Sequence, residues 1–488
     1  MDKKLWQIIE KEIKRQEETL GLIPSENFVD LETLFIVGSP LMNKYAEGYP
    51  GKRYYPGNKY IDEIENLAKE RALKAFKLNP NEWSVNVQPY SGSPANLAVY
   101  LGLINPGETI MGLNLFHGGH LTHGHKVSYT GKLFNSIQYG VTPQINADFE
   151  RIKTDKNVPQ INADSERIKT DEDNQRINAD SERIKTDKDD PYKSVSYPYV
   201  SVGENDPNKS VSNPYVSVGI DFEELEKLAL EYKPKIIISG TTAYPRILDF
   251  KKFYEISKKV GAYHVADIAH IAGLVIAGLH PSPFPYADVV TMTTHKTLRG
   301  PRGAVIFMRK ELEDKINKSV FPGLQGGPHM HTIAGIAYAF GRALKKDFYN
   351  YQKQIIENSK KLAEELIKRG FELYTGGTDN HLMMIDLKPL GLDGKTAEVL
   401  LERANIIANR NSLPSDTSPF NPSGIRLGTP AITSQGMKEK EMIKIAEFFE
   451  RILIKKEKPE KVKREVIALT KKFPLPYRKW LKIVNKII

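Results

Sequence analysis

Short apolar runs alternate with amphipathic helical stretches along most of this chain, and that alternation restricts the fold more than any other feature. Residues 60–76, 95–104, 222–232 and 250–260 carry helical periodicity. Residues 83–88, 108–112, 235–239, 263–266, 288–291 and 304–308 read as short strands, several of them of the fully buried type. Strands that alternate with helices imply a largely parallel sheet covered on both faces, hence an α/β fold. From about residue 310 the texture changes. A long helical stretch at 331–369 leads to short strands at 371–374 and 383–386, then to further helices. The expected organisation is an N-terminal helical arm at 1–30, a large domain at 31–309, and a smaller C-terminal α+β domain at 310–488 with a basic helical tail.

One segment breaks the pattern. INADFERIKTDKNVPQ, INADSERIKTDEDNQR and INADSERIKTDKDDPY begin at Ile145, Ile161 and Ile177, and KSVSYPYVSVG and KSVSNPYVSVG begin at Lys193 and Lys209. Both repeat types share a period of 16 residues, as tandem duplication of a short coding unit would produce. They hold few large apolar residues, and the period is shorter than solenoid units. Residues 143–218 are therefore expected to be a surface insertion in the large domain, mostly flexible, with some capacity for strand pairing in the SVSYPYVSVG part.

Charge and cysteine content narrow the function. The net charge of +10 would suit a nucleic-acid partner, yet residues 455–488 hold 12 Lys plus Arg against three Glu. Nearly all of the excess sits in that tail, so a solvated helical face is expected rather than a nucleic-acid site. Trp480, Leu481, Ile483, Val484, Ile487 and Ile488 give the tail an apolar stripe, expected to pack on the protein rather than enter a membrane. No apolar run is as long as a membrane span and no signal-peptide pattern opens the chain, so a soluble, cytoplasmic protein is expected. The absence of cysteine removes disulfides, thiolate nucleophiles and cysteine-ligated metals.

No dinucleotide or P-loop glycine pattern and no HExxH occurs. His117, His120, His123 and His125 cluster in LFHGGHLTHGHK, which invites a zinc reading. The flanking glycines and the lack of a nearby carboxylate favour instead a tight loop against a ligand, with no metal. Residues 291–307, TMTTHKTLRGPRGAVIF, give a stronger signal. Lys296 follows a buried strand, where desolvation lowers an amine pKa and makes it a Schiff-base nucleophile; an ordinary surface lysine is the alternative. Asp267 ends a strand, where it could pair with a protonated ring nitrogen or merely cap a helix. Residues 91–96, SGSPAN, set two hydroxyls and a glycine at a helix start, which suits a phosphate or a plain capping box. Jointly, Lys296, Asp267 and the 91–93 loop describe a pyridoxal phosphate site.

These residues resemble the serine hydroxymethyltransferase family. LIPSEN (22–27), NKYAEGYPGKRYY (43–55), QPYSGSPAN (88–96), HGGHLTHG (117–124), ADIAHIAGL (266–274), TTHKTLRGPRG (293–303), FPGLQGGP (321–328) and SGIRLGTPA (423–431) carry the likeness, in order, over nearly the whole chain except the repeats. The resemblance implies an aspartate-aminotransferase-like large domain that binds pyridoxal 5'-phosphate. It further implies reversible transfer of the serine hydroxymethyl group to tetrahydrofolate through an external aldimine, giving glycine and 5,10-methylenetetrahydrofolate.

Roles follow from the same matching. Lys296 would hold the cofactor, Asp267 its ring nitrogen, and His270 and Thr242 its phenolic oxygen, with His120 stacked on the ring. Ser91, Gly92, Ser93 and His295 would hold the phosphate, joined by Tyr45, Gly326 and Gly327 of a second subunit. Arg426, assisted by Ser25, would clamp the substrate carboxylate, while Tyr55 and Arg302 orient the amino acid. Glu47 would transfer a proton near the substrate hydroxyl and the folate. Leu115, Gly119, Leu121, Asn411, Ser418, Pro419 and Phe420 would line the folate pocket. At least a homodimer is implied, with a tetramer left open.

Three positions depart from the family pattern: Thr242 where serine is common, Pro56 for a glycine, and Leu324 for a small residue. Two other readings compete. One is a folate-independent aldolase for threonine-like β-hydroxy amino acids, and the other is a catalytically quiet RNA-binding relative. The folate-pocket residues weigh against the first. Intact Lys296, Asp267, Arg426 and Glu47 weigh against the second. The carrier is tetrahydrofolate or a related pterin.

Overall fold

The apolar runs become a seven-stranded sheet in a computed structural model that describes residues 2–144, 217–416, 418 and 421–487. In chain order its strands are β1 (Trp83–Asn86), β2 (Thr109–Leu113), β3 (Asn135–Tyr139), β4 (Ile236–Gly240), β5 (Tyr263–Asp267), β6 (Val289–Thr293) and β7 (Ala304–Arg309). Across the sheet they lie in the order β1-β7-β6-β5-β4-β2-β3. β5 pairs in parallel with β4 and β6, as β2 does with β4 and β3. β7 alone runs antiparallel, to both β6 and β1. The sheet is thus mixed and mostly parallel, as expected. β1, β4 and β6 are buried along their whole length, which only helices on both faces can achieve.

Local chemistry explains the helices. The segments concerned are α1 (Lys3–Glu17), α2 (Lys59–Ala75), α3 (Gly92–Leu103), α4 (Phe222–Tyr232) and α5 (Phe250–Val260). In α5 the Asp249 side chain accepts from the amides of Lys251 and Lys252, Lys258 and Lys259 complement the last turn, and Gly261 ends it at φ +70°. Phe250, Phe253 and Ile256 face inward, and each such side chain contributes about 1.5–3 kcal/mol on burial. The long helical stretch expected at 331–369 is two helices, α6 (Met330–Ala343) and α7 (Lys346–Lys368). They part at Lys345, whose backbone is extended.

A second sheet has four antiparallel strands: β8 (Glu372–Leu373), β9 (Leu382–Asp386), β10 (Asn409–Asn411) and β11 (Gly424–Gly428), in the order β8-β9-β11-β10. It has its own core, which includes Met383, Ile385, Ile425, Leu427, Phe448 and Phe449. The division between cores does not fall at residue 310. Met330, Ile333, Ile336, Phe340 and Phe348 belong to the core beneath the large sheet, and Leu362 and Leu366 to the second. The core changes partway along α7. The N-terminal arm joins the second core too, because Leu20–Gly21 pairs in parallel with Ile406–Ile407.

The basic tail forms α8 (Pro459–Thr470) and α9 (Arg478–Ile487). Val462 and Val466 are fully buried, and the Trp480 ring lies 5.7 Å from that of Trp6 on α1. Among the described residues no helix is long and apolar enough to cross a membrane. The repeats at 145–216 lie outside the described residues, as do Pro419 and Phe420. On either side of the repeats, Val141–Gln144 pairs antiparallel with Ser217–Ile220.

Candidate active site

Parallel strands bring their C-terminal ends to one edge of the sheet, where α/β proteins build sites. β5 ends in Asp267, and β6 runs out through Thr294 and His295 to Lys296. β1 leads to the 91–93 loop, β2 to the histidine loop and β4 to Thr242. The turn carrying Lys296 is held firmly. Thr294 donates from its hydroxyl to Pro301 O (2.6 Å), Asn27 donates from its amide to Lys296 O (2.8 Å), and Gln352 donates to Thr297 O (2.7 Å).

Lys296 is only 9% exposed. Burial lowers its amine to about 8, helped by the charges of Arg426 and Arg302 and opposed by Asp267. A substantial fraction is therefore the neutral nucleophile near pH 7–8. Asp267 moves the opposite way. Burial pushes its carboxyl up, but this is outweighed by the His123 hydrogen bond and charge, by His120, and by the Asn96 amide, so it stays well below the usual carboxylate range. Its Oδ2 accepts from Asn96 Nδ2 (2.8 Å) and lies 3.2 Å from His123 Nε2, and its Oδ1 accepts from the Ala269 amide (3.0 Å). The His120 amide donates to His123 Nδ1 (3.3 Å), which assigns the ring proton to Nε2 and makes His123 the donor to Asp267.

A polar chain extends from there. Thr291 donates to Asn96 Oδ1 (2.7 Å), Asn96 donates to Thr122 Oγ1 (2.8 Å), and Thr122 Oγ1 lies 2.7 Å from His120 Nδ1. Burial lowers His120 to about 4, so its ring is neutral near pH 7. His270 Nδ1 lies 3.2 Å from His381 Nε2, the two rings stacked. Burial drives both below the ordinary histidine range, His381 to about 3.

At the start of α3, Ser91 is the N-cap residue, yet its side chain makes no capping hydrogen bond. The capping-box alternative therefore fails, and the helix N-terminus and hydroxyl are open to an anion. A Cβ on Gly92 would come within 2.9 Å of Thr293 Cγ2, so the backbone there can approach the sheet only as glycine. His295, lowered to about 3 by burial and then by Lys296 and Arg302, has a buried Nδ1 with no hydrogen-bond partner. Arg426, on β11, reaches across to donate to Thr242 O (2.7 Å) and to Asn409 Oδ1 (3.2 Å). Burial lowers it to about 10, which leaves it charged. The Thr242 hydroxyl donates to Gly119 O (2.8 Å), so only its acceptor capacity faces a ligand. Asn411 sits on β10, directly across from Gly424 of the Arg426 strand. Leu115, Gly119 and Leu121 share the loop after β2, and Ser25 is half-buried two residues before Asn27.

Tyr45, Glu47, Tyr55, Gly326 and Gly327 form a second group, joined to the residue before Ser91 because the Tyr90 hydroxyl donates to Gly327 O (2.8 Å). Tyr45 is 54% exposed and Tyr55 45%, their rings edge to face at 5.2 Å. The Tyr45 hydroxyl lies 3.4 Å from Glu47 Oε1. A Cβ on Gly326 would meet Glu47 at 3.1 Å, and one on Gly327 would meet the Tyr45 ring at 3.2 Å. Asn96, Thr122, Thr291 and His381 were assigned no role from sequence and His123 was noted only in the histidine cluster, although all but His381 lie inside quoted segments.

A partly neutral lysine, a carboxylate held ionised, and an uncapped helix start with an unpaired imidazole nitrogen suit a pyridine aldehyde bearing a phosphate. The fold and these groups define a pyridoxal-phosphate-dependent enzyme. The family model described as serine hydroxymethyltransferase matches residues 1–162 and 213–449, and the chain belongs to that family. Its enzymes are transferases of serine and glycine one-carbon metabolism that use pyridoxal phosphate, with tetrahydrofolate as co-substrate. The match omits 163–212, within the repeats, and 450–488, which holds the basic tail.

Proposed function

We propose that this chain, acting in the cytoplasm as at least a homodimer, reversibly transfers the hydroxymethyl group of serine to tetrahydrofolate, yielding glycine and 5,10-methylenetetrahydrofolate. The observation that carries the reading is the match to the serine hydroxymethyltransferase family model, joined to a site in which a buried Lys296 and an Asp267 hydrogen-bonded by Asn96 and His123 stand at the ends of adjacent strands. Bound there, pyridoxal phosphate supplies an electron sink conjugated to the substrate Cα.

This chain's own residues do the rest. Lys296 would hold the cofactor through its amine. Asp267 keeps a proton on the ring nitrogen, itself held in place by His123 and Asn96. Ser91, Gly92, Ser93 and His295 receive the phosphate. His120, His270 and Thr242 would line the place of the ring. Arg426, with Ser25, binds the substrate carboxylate through its planar fork, and Tyr55 and Arg302 orient the amino acid. Leu115, Gly119, Leu121, Asn411, Ser418, Pro419 and Phe420 form the pterin side. Glu47 moves the proton at the substrate hydroxyl. Because Tyr45 and Tyr55 are exposed and Glu47, Gly326 and Gly327 lie half-buried beside them, we read this group as serving the site of a neighbouring copy.

A visible spectrum of the purified protein tests the whole reading. The expected result is a cofactor band that changes strongly only when glycine and tetrahydrofolate are present together. A band indifferent to folate, with cleavage of allo-threonine in its absence, would move the assignment to an aldolase. No band after adding pyridoxal phosphate would overturn the enzyme reading.

A further inference from the structure

The hairpin that carries Glu47 pairs only Gly48–Tyr49 with Lys52–Arg53. So short a ribbon has little stability of its own. It turns through Pro50 and Gly51 (φ +75°), and Gly48 in its first strand has φ +92°, where a Cβ would lie 2.4 Å from Lys52 O. What fixes it is a buried charge. The Arg53 side chain is 4% exposed and that of Glu65 1%. Arg53 Nη1 donates to Ala46 O (2.9 Å) and Gly48 O (2.8 Å), the two carbonyls that flank Glu47. The Glu47 carbonyl itself accepts from the Tyr54 amide (3.1 Å). All three carbonyls around Glu47 are thereby held.

The guanidinium is anchored in turn. Its Nη2 donates to Glu65 Oε2 (2.6 Å) and its Nε to Asp62 Oδ1 (2.8 Å), both on α2. Gln88, just past β1, donates from Nε2 to Gly48 O (3.0 Å) and to Glu65 Oε1 (3.0 Å). Its own carbonyl accepts from Gln325 Nε2 (2.9 Å), which fastens the loop holding Gly326 and Gly327 to the same point. We propose that Arg53, backed by Glu65 and Gln88, is a positioning residue that sets where Glu47 stands. This inference rests on the reading of Glu47 as the proton-transfer group. The five donors of arginine lie in a rigid fork that meets both carbonyls and both carboxylates at once. Lysine carries the charge but cannot reach all four. A group misplaced by about 1 Å loses on the order of 100-fold in rate.

The test is a double-mutant cycle on the full-length holoenzyme, with kcat and KM measured for serine and tetrahydrofolate. Arg53→Lys is expected to lower kcat about 10- to 100-fold, with KM for serine within about twofold. Added to Glu47→Gln, it should cost almost nothing more, because the group it positions is already disabled. A merely structural role would lower the melting temperature and leave the losses additive. Additive losses, or an unchanged kcat for Arg53→Lys, overturn the inference while Glu47→Gln remains impaired. A Glu47→Gln variant with normal kcat overturns the reading of Glu47, and this inference with it. If Arg53→Lys does not fold, Gln88→Met goes through the same cycle. It removes one donor to Gly48 O and is expected to lower kcat a few fold (about 3- to 10-fold), again without additivity to Glu47→Gln. Additivity there is equally fatal.

Discussion

The two groups of candidate residues differ in how one chain completes them. Around Lys296 three titratable groups are hydrogen-bonded within the same chain: Asp267 to Asn96 and His123, His270 to His381, and Arg426 to Thr242. Around Glu47 the backbone is pinned as tightly, yet Tyr45 and Tyr55 point outward, and the carboxylate has only a long contact with Tyr45. Rigidity and exposure coincide there. A surface loop with nothing to meet would not need three carbonyls fastened. The contrast sets a closed group around Lys296 against an exposed one around Glu47, which is the arrangement that the proposed sharing between copies requires.

The sharpest way to break that contrast begins with Lys296→Ala, expected to abolish the visible cofactor band and lower the rate by 10⁴-fold or more, on the order of losing a catalytic nucleophile. Glu47→Gln should be crippled yet keep the band. Mixing the two dead proteins, unfolding them and refolding them together then tests the sharing directly. If Glu47 serves the neighbouring copy, mixed dimers regain one intact site, and activity should return to roughly a quarter of the unmutated level. No recovery, with mixed dimers present, would mean that Glu47 works within its own chain.

Next in size is Asp267→Asn, expected to lower the rate by roughly 100-fold or more while folding is kept, since the His123 and Asn96 contacts survive on an amide oxygen. A smaller effect concerns pH. The Lys296 amine is lowered to about 8 in the folded protein, against 10.5 unfolded. Between those values the unfolded chain binds more protons, so the cofactor-free protein should gain stability as pH rises through that window, by about 3 kcal/mol in all. Below pH 8 both states are protonated and the full penalty remains. Chemical denaturation of the cofactor-free form from pH 7.5 to 10.5, beside Lys296→Met, measures it. A Lys296→Met protein with the same slope would show that another group is responsible.

Some of this was legible in the residues and some was not. β4, β6 and β7 are apolar runs buried on both faces, so the sheet's centre announces itself. β3, NSIQY, lies at the sheet edge with one face half-open, and its mixed composition carries no comparable signal. Nothing such as glycine or proline marks the break at Lys345 between α6 and α7. The shift of core partway along α7 follows from packing, which periodicity does not report. In the site, Lys296, Asp267 and the 91–93 loop were readable because their chemistry is local. The part played by Thr291 was not. It depends on the register that sets Thr291 beside Asp267 across two parallel strands, with Asn96 reaching in from α3. Likewise His381 meets His270 across 111 residues of sequence.

The paired segments Val141–Gln144 and Ser217–Ile220 bring the chain back to where it left. Such a ribbon acts as a socket. Whatever is threaded between its two sides, the rest of the protein sees the same two ends at the same spacing. Because the entropy of closing a loop grows only with the logarithm of its length, adding or removing whole 16-residue units changes stability by a few tenths of a kcal/mol. Duplication of the coding unit could therefore run unchecked by folding. Cutting 145–216 down to a two-residue turn, with the ribbon kept, should leave the melting temperature within a few degrees and kcat unchanged, and a collapse of either would show that the repeats are more than passengers in the socket.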